Sequence, residues 1–278
     1  MKRKIVADSS ANLLHLTGVD FVSVPLQIDA GEHHWVDDET LDLGNMLDVL
    51  AAHKGRSCSA CPSPDAYTEA FGDADEVFCL PISQGLSGSY NSACVAAQDY
   101  MESHPTTKVH VIDTLTAGPA MTMVAEALSF LVAREDMTFE QIRDAIDAQT
   151  AKTKVLFSLG NVHNLAANGR LPFTIAKLIG MLNIRLVGVS DEHGKIAMLE
   201  RPRGDIKAVA ALVHQLQEQR FNGRWCTIHH CRNEKAALSL KEQILAKWPE
   251  AVVAVGETRG LCSYYAEAGG IMLGFEQE

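Results

Sequence analysis

Short apolar runs alternate with helical stretches along the first half of the chain, and this alternation is the strongest constraint on the fold. The runs expected to form strands cover residues 4–7, 21–26, 76–82 and 108–113. They are almost continuously apolar, which is typical of strands buried on both faces. Helical candidates cover residues 41–53, 89–103 and 117–134, and further helices are expected after Ser63-Pro64 and after Thr138, which has a capping-box partner in Gln141. The pattern predicts an α/β fold with an open, mainly parallel sheet flanked by helices.

The second half of the chain repeats this alternation with a different strand arrangement. Strands are expected over residues 154–159, 184–189, 195–199 and 225–229 and around Val252 and Ile271, with helices over 205–220 and 234–248. The turn at residues 191–194 predicts a hairpin, so this sheet should be mixed rather than parallel. We place a boundary after the helix that Thr138 caps. This predicts two α/β domains, residues 1–152 and 153–278, with a ligand cleft at their interface.

Composition excludes several classes of protein. The 278 residues include 35 acids and 24 Lys plus Arg, a formal net charge of −11, which argues against nucleic acid as a partner. The longest apolar stretch, residues 117–133, contains Glu126 and is shorter than the ~20 residues that a bilayer requires. We therefore expect no integral membrane segment. The apolar run after the basic start is too short for a signal peptide. The seven cysteines are irregularly spaced, which is typical of reduced thiols. We therefore expect a cytoplasmic protein.

Four hydroxyl-rich segments stand next to predicted strands. They cover residues 8–12, 57–63, 83–90 and 113–118 and include Ser9, Ser59, Ser87, Gly88 and Asp113. Ligands of open α/β sheets bind outside the carboxyl ends of the strands, where hydroxyls and free backbone N–H groups suit a carboxylate or phosphate. Each segment could instead be an ordinary helix cap. Taken together, the four segments favour a site for an anionic head group.

A serine nucleophile is the first alternative. Residues 85–89 (GLSGS) place Ser87 before a glycine but do not match the Gly-x-Ser-x-Gly elbow of hydrolases. A hydrolase would also need a base and an orienting acid, and the eleven histidines show no recognisable spacing for one. A serine-dependent hydrolase or acyl-transfer enzyme using Ser87 stays open.

A metal or redox centre is the second alternative. Cys58 and Cys61 have redox or zinc-ligand spacing but no second pair. The run from Cys226 to Cys231 is rich in potential ligands, yet in a strand His229 and Cys231 point to the opposite face from Cys226, so a core strand is favoured. His33 and His34 are expected in a solvent-exposed loop. The chain has no phosphate-loop and no Gly-x-Gly-x-x-Gly motif after a strand, which argues against nucleotide chemistry, and we expect no cofactor.

Two arginine-bearing segments of the second half could pair with an anion or could be solvated surface. They are residues 161–184, with Arg170, and residues 200–208, with Arg201 and Arg203. A guanidinium offers forked donors that match a carboxylate. The apolar stretch 173–189 could line a cavity, although core packing is the commoner role of such a stretch.

These motifs, in this order, resemble the DegV family of bacterial fatty-acid-binding proteins, which includes the acyl-carrier subunits of fatty acid kinase. Residues 8–13 (DSSANL) are similar to the family's opening, and residues 82–93 (ISQGLSGSYNSA) closely match its Ile/Leu-Ser-Ser-x-Leu-Ser-Gly-Thr-Tyr-x-Ser-Ala motif. Similar matches occur at residues 59–63, 111–114, 164–171 and 201–208. The resemblance covers almost the whole chain.

The resemblance implies a two-domain α/β protein that buries one long-chain fatty acid in an apolar tunnel. By position, Ser59 and Ser87 would hold the carboxylate, and Arg170 and Arg203 would lie near the head group or face a kinase partner. Ser9, Gly88 and Asp113 would likewise lie in the vicinity of the head group or face the partner. The protein would not be the catalyst itself but would present the carboxylate to a separate ATP-dependent kinase and so supply phospholipid synthesis.

One stretch departs from the family pattern. The family has a His-x-Gly-Pro-Gly loop close to the head group, whereas residues 256–270 have neither the histidine nor the proline and carry Tyr264, Tyr265 and Glu267 instead. A glutamate beside a fatty carboxylate would repel it unless protonated or turned away. The prediction is therefore a fatty-acid carrier whose coupling to a kinase, or whose ligand, could differ from the family's.

Overall fold

A computed structural model describes residues 2–179 and 183–278 of the chain. Its strands in chain order are β1 (Arg3–Asp8), β2 (Asp20–Val24), β3 (Gln27–Ala30), β4 (His33–Val36), β5 (Ser57–Ala60), β6 (Glu76–Leu80), β7 (Lys108–Val111), β8 (Thr153–Leu159), β9 (Leu186–Ser190), β10 (Ile196–Glu200), β11 (Phe221–His230), β12 (Val252–Glu257) and β13 (Ile271–Gln277). Its α-helices are α1 (Leu43–Ala52), α2 (Pro64–Phe71), α3 (Ser89–Ser103), α4 (Pro119–Val132), α5 (Phe139–Lys152), α6 (His163–Ala167), α7 (Phe173–Ile179), α8 (Gly204–Glu218), α9 (Glu234–Lys247) and α10 (Gly260–Ala266).

The first half of the chain contains the predicted parallel sheet. Its strand order is β2-β1-β6-β7, and each neighbouring pair is parallel. All five residues of β6 are buried, which explains the continuous apolar run that marked this strand in the sequence. Ser63 caps α2 with Pro64 in its first turn, and Thr138 and Gln141 form both hydrogen bonds of the capping box, at 3.3 and 2.9 Å. These predictions are confirmed.

A three-stranded antiparallel sheet in the order β4-β3-β5 was not predicted. The expectation that His33 and His34 lie in a loop is wrong, because both residues are in β4. A tight turn at Gly31, whose φ is +64°, joins β3 to β4, and the first two residues of the edge strand β4 are exposed. Polar, exposed residues in so short an edge strand carry little of the apolar alternation that marks a strand in sequence.

The second half forms the predicted mixed sheet. Its strand order is β10-β9-β8-β13-β11-β12, in which only β11 and β12 are parallel. The predicted hairpin is present, since β9 and β10 pair antiparallel around the turn at residues 191–195. Cys226, His229 and His230 are buried in β11, which confirms that this run is a core strand. The α/β fold class, with a parallel sheet followed by a mixed one, is thus confirmed.

Hydrophobic packing joins the two halves. Helix α5 ends at Lys152 and β8 begins at Thr153, where the sequence predicted a boundary. One apolar cluster nevertheless combines Ile28 and Met46 with Phe157 and Tyr264. The assignment of residues 1–152 and 153–278 to two domains stays a prediction, and the three-stranded sheet of the first half shares this buried cluster with the mixed sheet of the second.

The apolar stretch 173–189 divides between surface and core. Phe173 is 61% exposed at the start of α7, whereas all of β9 is buried. Residues 180–182 lie outside the described residues. None of the helices that the structure describes is both long and apolar enough to cross a membrane.

Candidate functional site

A narrow cleft lies between the two main sheets. The space that the centre of a water-sized sphere can occupy is about 100 Å³, and all the space between the lining atoms, including the open mouth, is about 800 Å³. Both halves of the chain contribute to a lining that is largely apolar: Leu26, Ile82, Leu86, Ala117, Val155, Phe157, Leu159, Leu165, Ile196, Leu261, Ala266 and Met272. Several of its polar side chains are ones that the sequence singled out, namely Ser59, Ser87 and Arg170.

The parallel sheet places three of the four hydroxyl-rich segments, residues 8–12, 83–90 and 113–118, at one edge, whereas residues 57–63 include β5 of the three-stranded sheet. Strands β1, β6 and β7 run in the same direction, so the segments that follow them meet beyond their carboxyl ends. Asp8 at the end of β1 accepts a hydrogen bond from the backbone N–H of Ile82, at 2.8 Å. The N–H of Ser83 donates to the carbonyl of Thr116, at 3.1 Å. These bonds fix the loop between β6 and α3, which carries Ser87.

Ser59 meets a tyrosine from the other half of the chain. Its Oγ lies 2.7 Å from the hydroxyl of Tyr265, so the two groups are hydrogen-bonded. Asp37, whose side chain is fully buried, accepts from the backbone N–H groups of Gly260 and Leu261 at 2.9 and 2.8 Å and holds the start of α10, which carries Tyr265. A carboxylate from the first half therefore positions this residue of the second half.

Ser87 stands immediately before α3. Its Oγ accepts from the backbone N–H of Ser89, at 3.2 Å, and lies 3.1 Å from the Ser89 hydroxyl. Ser87 is half-buried whereas Ser89 is fully buried, so Ser87 is the hydroxyl of this pair that lines the cleft.

Arg170 connects these two serines. Its Nε donates to the carbonyl of Leu86, at 3.1 Å, next to Ser87, and its Nη1 donates to the carbonyl of Asn168, at 2.6 Å. The guanidinium carbon lies 5.5 Å from the ring centroid of Tyr265, a cation–π arrangement. Two of the five N–H donors of the guanidinium make these hydrogen bonds, and Arg170 lines the same cleft as Ser59, Ser87 and Tyr265.

The other predicted site residues are Ser9, Gly88, Asp113 and Arg203. Ser9 is buried and accepts from the N–H of Leu26, at 3.1 Å. Asp113 accepts from the N–H groups of Gln84 and Leu115, both at 3.2 Å, and so supports the neighbouring loops. Gly88 is exposed at the start of α3, and Arg203 is exposed at the start of α8. The lining of the cleft includes none of these four residues.

Tyr265 is the site residue that motif reasoning did not assign. The sequence marked it only as lying in the stretch where the family pattern fails, and its pairing with Ser59 spans 206 positions. Burial raises its pKa above the usual value, so its hydroxyl stays protonated at neutral pH and can donate. Glu267 is turned away, because its carboxylate accepts from the N–H of Asn164, at 3.0 Å, and lines a different cavity.

In the part of the chain that the structure describes, neither a serine nucleophile with its base nor a cluster of metal ligands is assembled. The hydrogen bonds of the Ser87 hydroxyl are with Ser89, and no histidine or carboxylate contacts that hydroxyl within bonding distance. Nowhere in residues 2–179 and 183–278 do three or more His, Cys, Asp or Glu side chains come close enough to hold a metal ion. Cys58 and Cys61 are exposed free thiols beside Ser59.

Comparisons with known proteins agree with this geometry. A family model described as "Uncharacterised protein, DegV family" matches residues 2–278. A DegV domain-containing protein of Streptococcus pneumoniae strain R6 is 41% identical over 280 residues, covering 99% of both chains. The crystal structure of the Streptococcus pneumoniae Fatty Acid Kinase (Fak) B3 protein loaded with linoleic acid matches with a TM-score of 0.97, 41% identity and full coverage of both chains. A DegV family protein from Eubacterium eligens loaded with heptadecanoic acid matches with a TM-score of 0.96 and 41% identity over 99% of this chain and 100% of that one. The resemblance in the motifs is confirmed, and the chain belongs to the DegV family.

Proposed function

We propose that this protein binds one long-chain fatty acid in the cleft, with the carboxylate held by Ser59 and Ser87 and supported by Arg170 and Tyr265. The observation that carries the proposal is the continuous series of contacts from Ser59 through Tyr265 and Arg170 to the backbone next to Ser87, on the wall of an apolar cleft. A buried carboxylate requires hydrogen-bond donors, and three hydroxyls with a guanidinium provide them.

The negative net charge of the protein explains why the head group needs local hydrogen-bond donors. A formal net charge of −11 offers no general attraction to an anionic ligand, so affinity for the head group has to come from local donors. Affinity for the tail comes from burial, at about 0.8 kcal/mol per CH₂ group removed from water. The two relatives crystallised with linoleic and heptadecanoic acid support a ligand of this class.

Native mass spectrometry tests this binding directly. After delipidation and exposure to mixed long-chain fatty acids, the chain should retain one fatty acid per molecule. Ile196 lines the cleft and Met198, two residues along the same strand, does not. Ile196→Trp should abolish the added mass and Met198→Trp should preserve it. A wild-type protein with no fatty acid adduct would contradict the proposal.

Covalent labelling distinguishes a carrier from the alternative, a serine-dependent hydrolase or acyl-transfer enzyme that uses Ser87. A fluorophosphonate probe reacts with an activated serine, and we expect no adduct at Ser87 under conditions that label a control serine hydrolase. An adduct on Ser87 that disappears in Ser87→Ala would instead favour the hydrolase or acyl-transfer function.

We propose further that the bound carboxylate is presented to a separate kinase, which forms the acyl phosphate. The relative named Fatty Acid Kinase (Fak) B3 supports this role, and Arg203 is an exposed cation on the half of the chain that also carries Arg170. Loaded protein with ATP and Mg²⁺ should give hydroxylamine-trapped acyl phosphate only after the kinase is added. Arg203→Ala should lower that yield without changing fatty-acid affinity, whereas Arg224→Ala, at another exposed arginine, should change neither. Acyl phosphate formed without the kinase would contradict a carrier role.

We also propose that the protein works in the cytoplasm. All seven of its cysteines, each in a described position, are free, and Cys58 and Cys61 are exposed. Exposed thiols persist in reducing compartments. Fractionation of source cells with thiol labelling should recover the protein with its cysteines reduced in the cytoplasmic fraction, and recovery from an oxidising compartment would contradict this assignment.

A further inference from the structure

The charged side chains that line the cleft are both cations. Arg170 and Lys195 lie on its wall, and no aspartate or glutamate is among the described residues that line it. The whole chain, by contrast, has 35 acids and 24 Lys plus Arg. Two cations without a carboxylate are therefore a local departure from the overall charge of the protein, and their position needs an explanation.

The turn that carries Lys195 packs directly against the hydroxyl-rich loop after β6. The Ser83 hydroxyl donates to the carbonyl of Gly194, at 3.0 Å. A Cβ atom at Gly85 would lie 2.4 Å from the carbonyl oxygen of His193 and 3.0 Å from Cγ of Lys195, so only glycine fits between the loop and the turn. These contacts join a hairpin of the second half of the chain to a loop of the first.

Within the turn, Asp191 fixes the backbone at Lys195. Its carboxylate accepts from the N–H groups of His193 and Lys195, both at 2.9 Å, and its own N–H donates to the carbonyl of Lys195, at 2.9 Å. Among the described residues, the lysines that form ion pairs are Lys2, Lys4 and Lys108. The backbone of Lys195 is thus held in place, while its ammonium group pairs with no carboxylate in the described part of the chain.

Both cations approach the same short stretch of the loop, residues 85–87. Nε of Arg170 donates to the carbonyl of Leu86, at 3.1 Å, and Cγ of Lys195 lies next to Gly85. The residue that follows Leu86 is Ser87, which we propose as a donor to the carboxylate. Arg170 and Lys195 therefore belong to the head-group end of the cleft.

The two cations differ in their exposure to solvent. Arg170 is half-buried and two of its N–H groups are bonded to carbonyls, whereas Lys195 is exposed. A fatty carboxylate has a single negative charge, which a guanidinium and hydroxyls can match. A phosphoryl group added to that carboxylate would bring the charge of the head group to about two and would extend it toward solvent, where Lys195 lies.

We propose that Lys195 recognises the phosphoryl group of a bound long-chain acyl phosphate. The inference rests on the proposed fatty-acid binding and on the proposed kinase step, and it adds a residue that distinguishes the phosphorylated product from the fatty acid. A lysine suits this role, because its ammonium is a compact charge on a flexible stem and can reach a group that is present only after the reaction.

The test compares dissociation constants for three ligands, measured by calorimetry on delipidated protein. The first is palmitic acid. The second is 2-oxoheptadecylphosphonate, an analogue of palmitoyl phosphate in which a CH₂ group replaces the bridging oxygen and prevents loss of the phosphoryl group. The third is 2-heptadecanone, which has the same carbon chain and carbonyl group without the phosphonate. Wild type should bind the phosphonate at least as tightly as palmitic acid.

Variants then assign the effect to one charge. Lys195→Met keeps most of the side-chain stem and should weaken binding of the phosphonate about fivefold, as expected for one exposed ion pair. It should change the affinity for palmitic acid and for the ketone by less than about twofold, and the loss should shrink at high salt. Lys195→Arg should bind the phosphonate within about twofold of wild type.

Lys235→Met provides the matched control. Lys235 is another exposed lysine of the second half, and it does not line the cleft. Its variant removes the same charge from the protein and should change none of the three affinities, which separates a contact with the ligand from a change in net charge.

The outcomes separate this inference from the functions on which it rests. The recognition of a phosphoryl group would be overturned if wild type bound palmitic acid but not the phosphonate, if Lys195→Met weakened both ligands equally or neither, or if Lys235→Met had the same effect. It would also be overturned if Lys195→Met lowered the acyl phosphate yield with the kinase at unchanged affinity for the phosphonate, because Lys195 would then contact the kinase. Failure to bind all three ligands would overturn fatty-acid binding as well, and the hydroxylamine trap tests the kinase step separately.

Discussion

Two hydroxyl-rich segments at the same edge of the parallel sheet have similar composition and different roles. In residues 8–12, Ser9 accepts from the N–H of Leu26 and the Ser10 hydroxyl is bonded to Asp8, so both hydroxyls are engaged within the fold. In residues 83–90, Ser87 lies on the cleft wall, and among the described residues its hydroxyl has Ser89 as its partner. A cluster of serines after a strand therefore marks the polar edge of the sheet, and the partners of each hydroxyl decide whether it can meet a ligand.

The largest expected effect comes from the first segment. Asp8 is fully buried and accepts from four donors: the Ile82 and Ser10 N–H groups and the Ser10 and Tyr67 hydroxyls. Asp8→Ala would leave these donors unpaired, at a cost in stability of about 1–3 kcal/mol each. We expect this cost to exceed the stability gained because a charged carboxylate is no longer buried. We expect the free energy of unfolding at pH 7 to fall by about 3 kcal/mol in urea denaturation. A loss below about 1 kcal/mol would show that this segment is not structural.

The carboxyl of Asp8 also makes the contribution of the first segment to stability depend on pH. Burial raises the pKa of Asp8 to about 6 from the model-peptide value of 3.8. Between these values the folded state binds the proton more strongly, so the contribution of Asp8 to stability increases as the pH falls from 7 to 4 and decreases as the pH rises through 6.

The variant Asp8→Asn isolates this contribution, because it does not titrate in that range while all other groups stay the same. Relative to Asp8→Asn, wild type should gain up to about 3 kcal/mol of unfolding free energy between pH 7 and pH 4. A stability difference that stays constant across this range, or changes in the opposite direction, would contradict a raised pKa for Asp8.

The second segment should affect binding rather than folding. Ser87→Ala removes the hydroxyl that we propose as a donor to the carboxylate, and we expect fatty-acid affinity to weaken by about 2 kcal/mol, or about thirtyfold. Ser10→Ala is the matched control from the first segment, since its hydroxyl is bonded to Asp8 and does not line the cleft. It should lower stability by about 1 kcal/mol and leave affinity within twofold. Equal effects of the two variants on affinity would remove the distinction between the segments.

Local signals in the sequence predicted the elements well. Helix α3 begins and ends at the predicted residues, and the capping box at Thr138 marks the start of α5, because these features depend on neighbours a few positions apart. The strand β4 was missed because its exposed histidines carry no apolar alternation. Short helices such as α6 and α10 were missed as well, since five to seven residues give too little periodicity to recognise.

The candidate site was only partly accessible from sequence. Motif resemblance indicated Ser59, Ser87 and Arg170, all of which line the cleft. The contact between Ser59 and Tyr265 could not be inferred, because it depends on how β5 and α10 pack together across two halves of the chain. Tertiary packing likewise turns Glu267 away from the cleft through its bond to the N–H of Asn164. Side-chain direction at a long-range contact has no local signal in sequence.

The smallest expected effect tests whether that long-range pair belongs to the same site. Tyr265→Phe removes only the hydroxyl that bonds to Ser59, and we expect affinity for a fatty acid to fall by about 1 kcal/mol, or about fivefold, with little change in stability. Ser59→Ala should have a similar effect. Since the two hydroxyls are bonded to each other, the double variant should weaken binding by less than the sum of the single variants.

Tyr264→Phe is the control for this cycle. Tyr264 is adjacent in α10, and its hydroxyl bonds to Ser57 and Asn168 rather than lining the cleft. Its variant should lower stability and leave affinity unchanged, which separates loss of a ligand contact from disturbance of the helix. If Tyr265→Phe and Ser59→Ala weaken binding additively, the two hydroxyls contact the ligand independently. If neither weakens it, the carboxylate is held by Ser87 and Arg170 alone, and the wall formed by β5 and α10 serves only to enclose the tail.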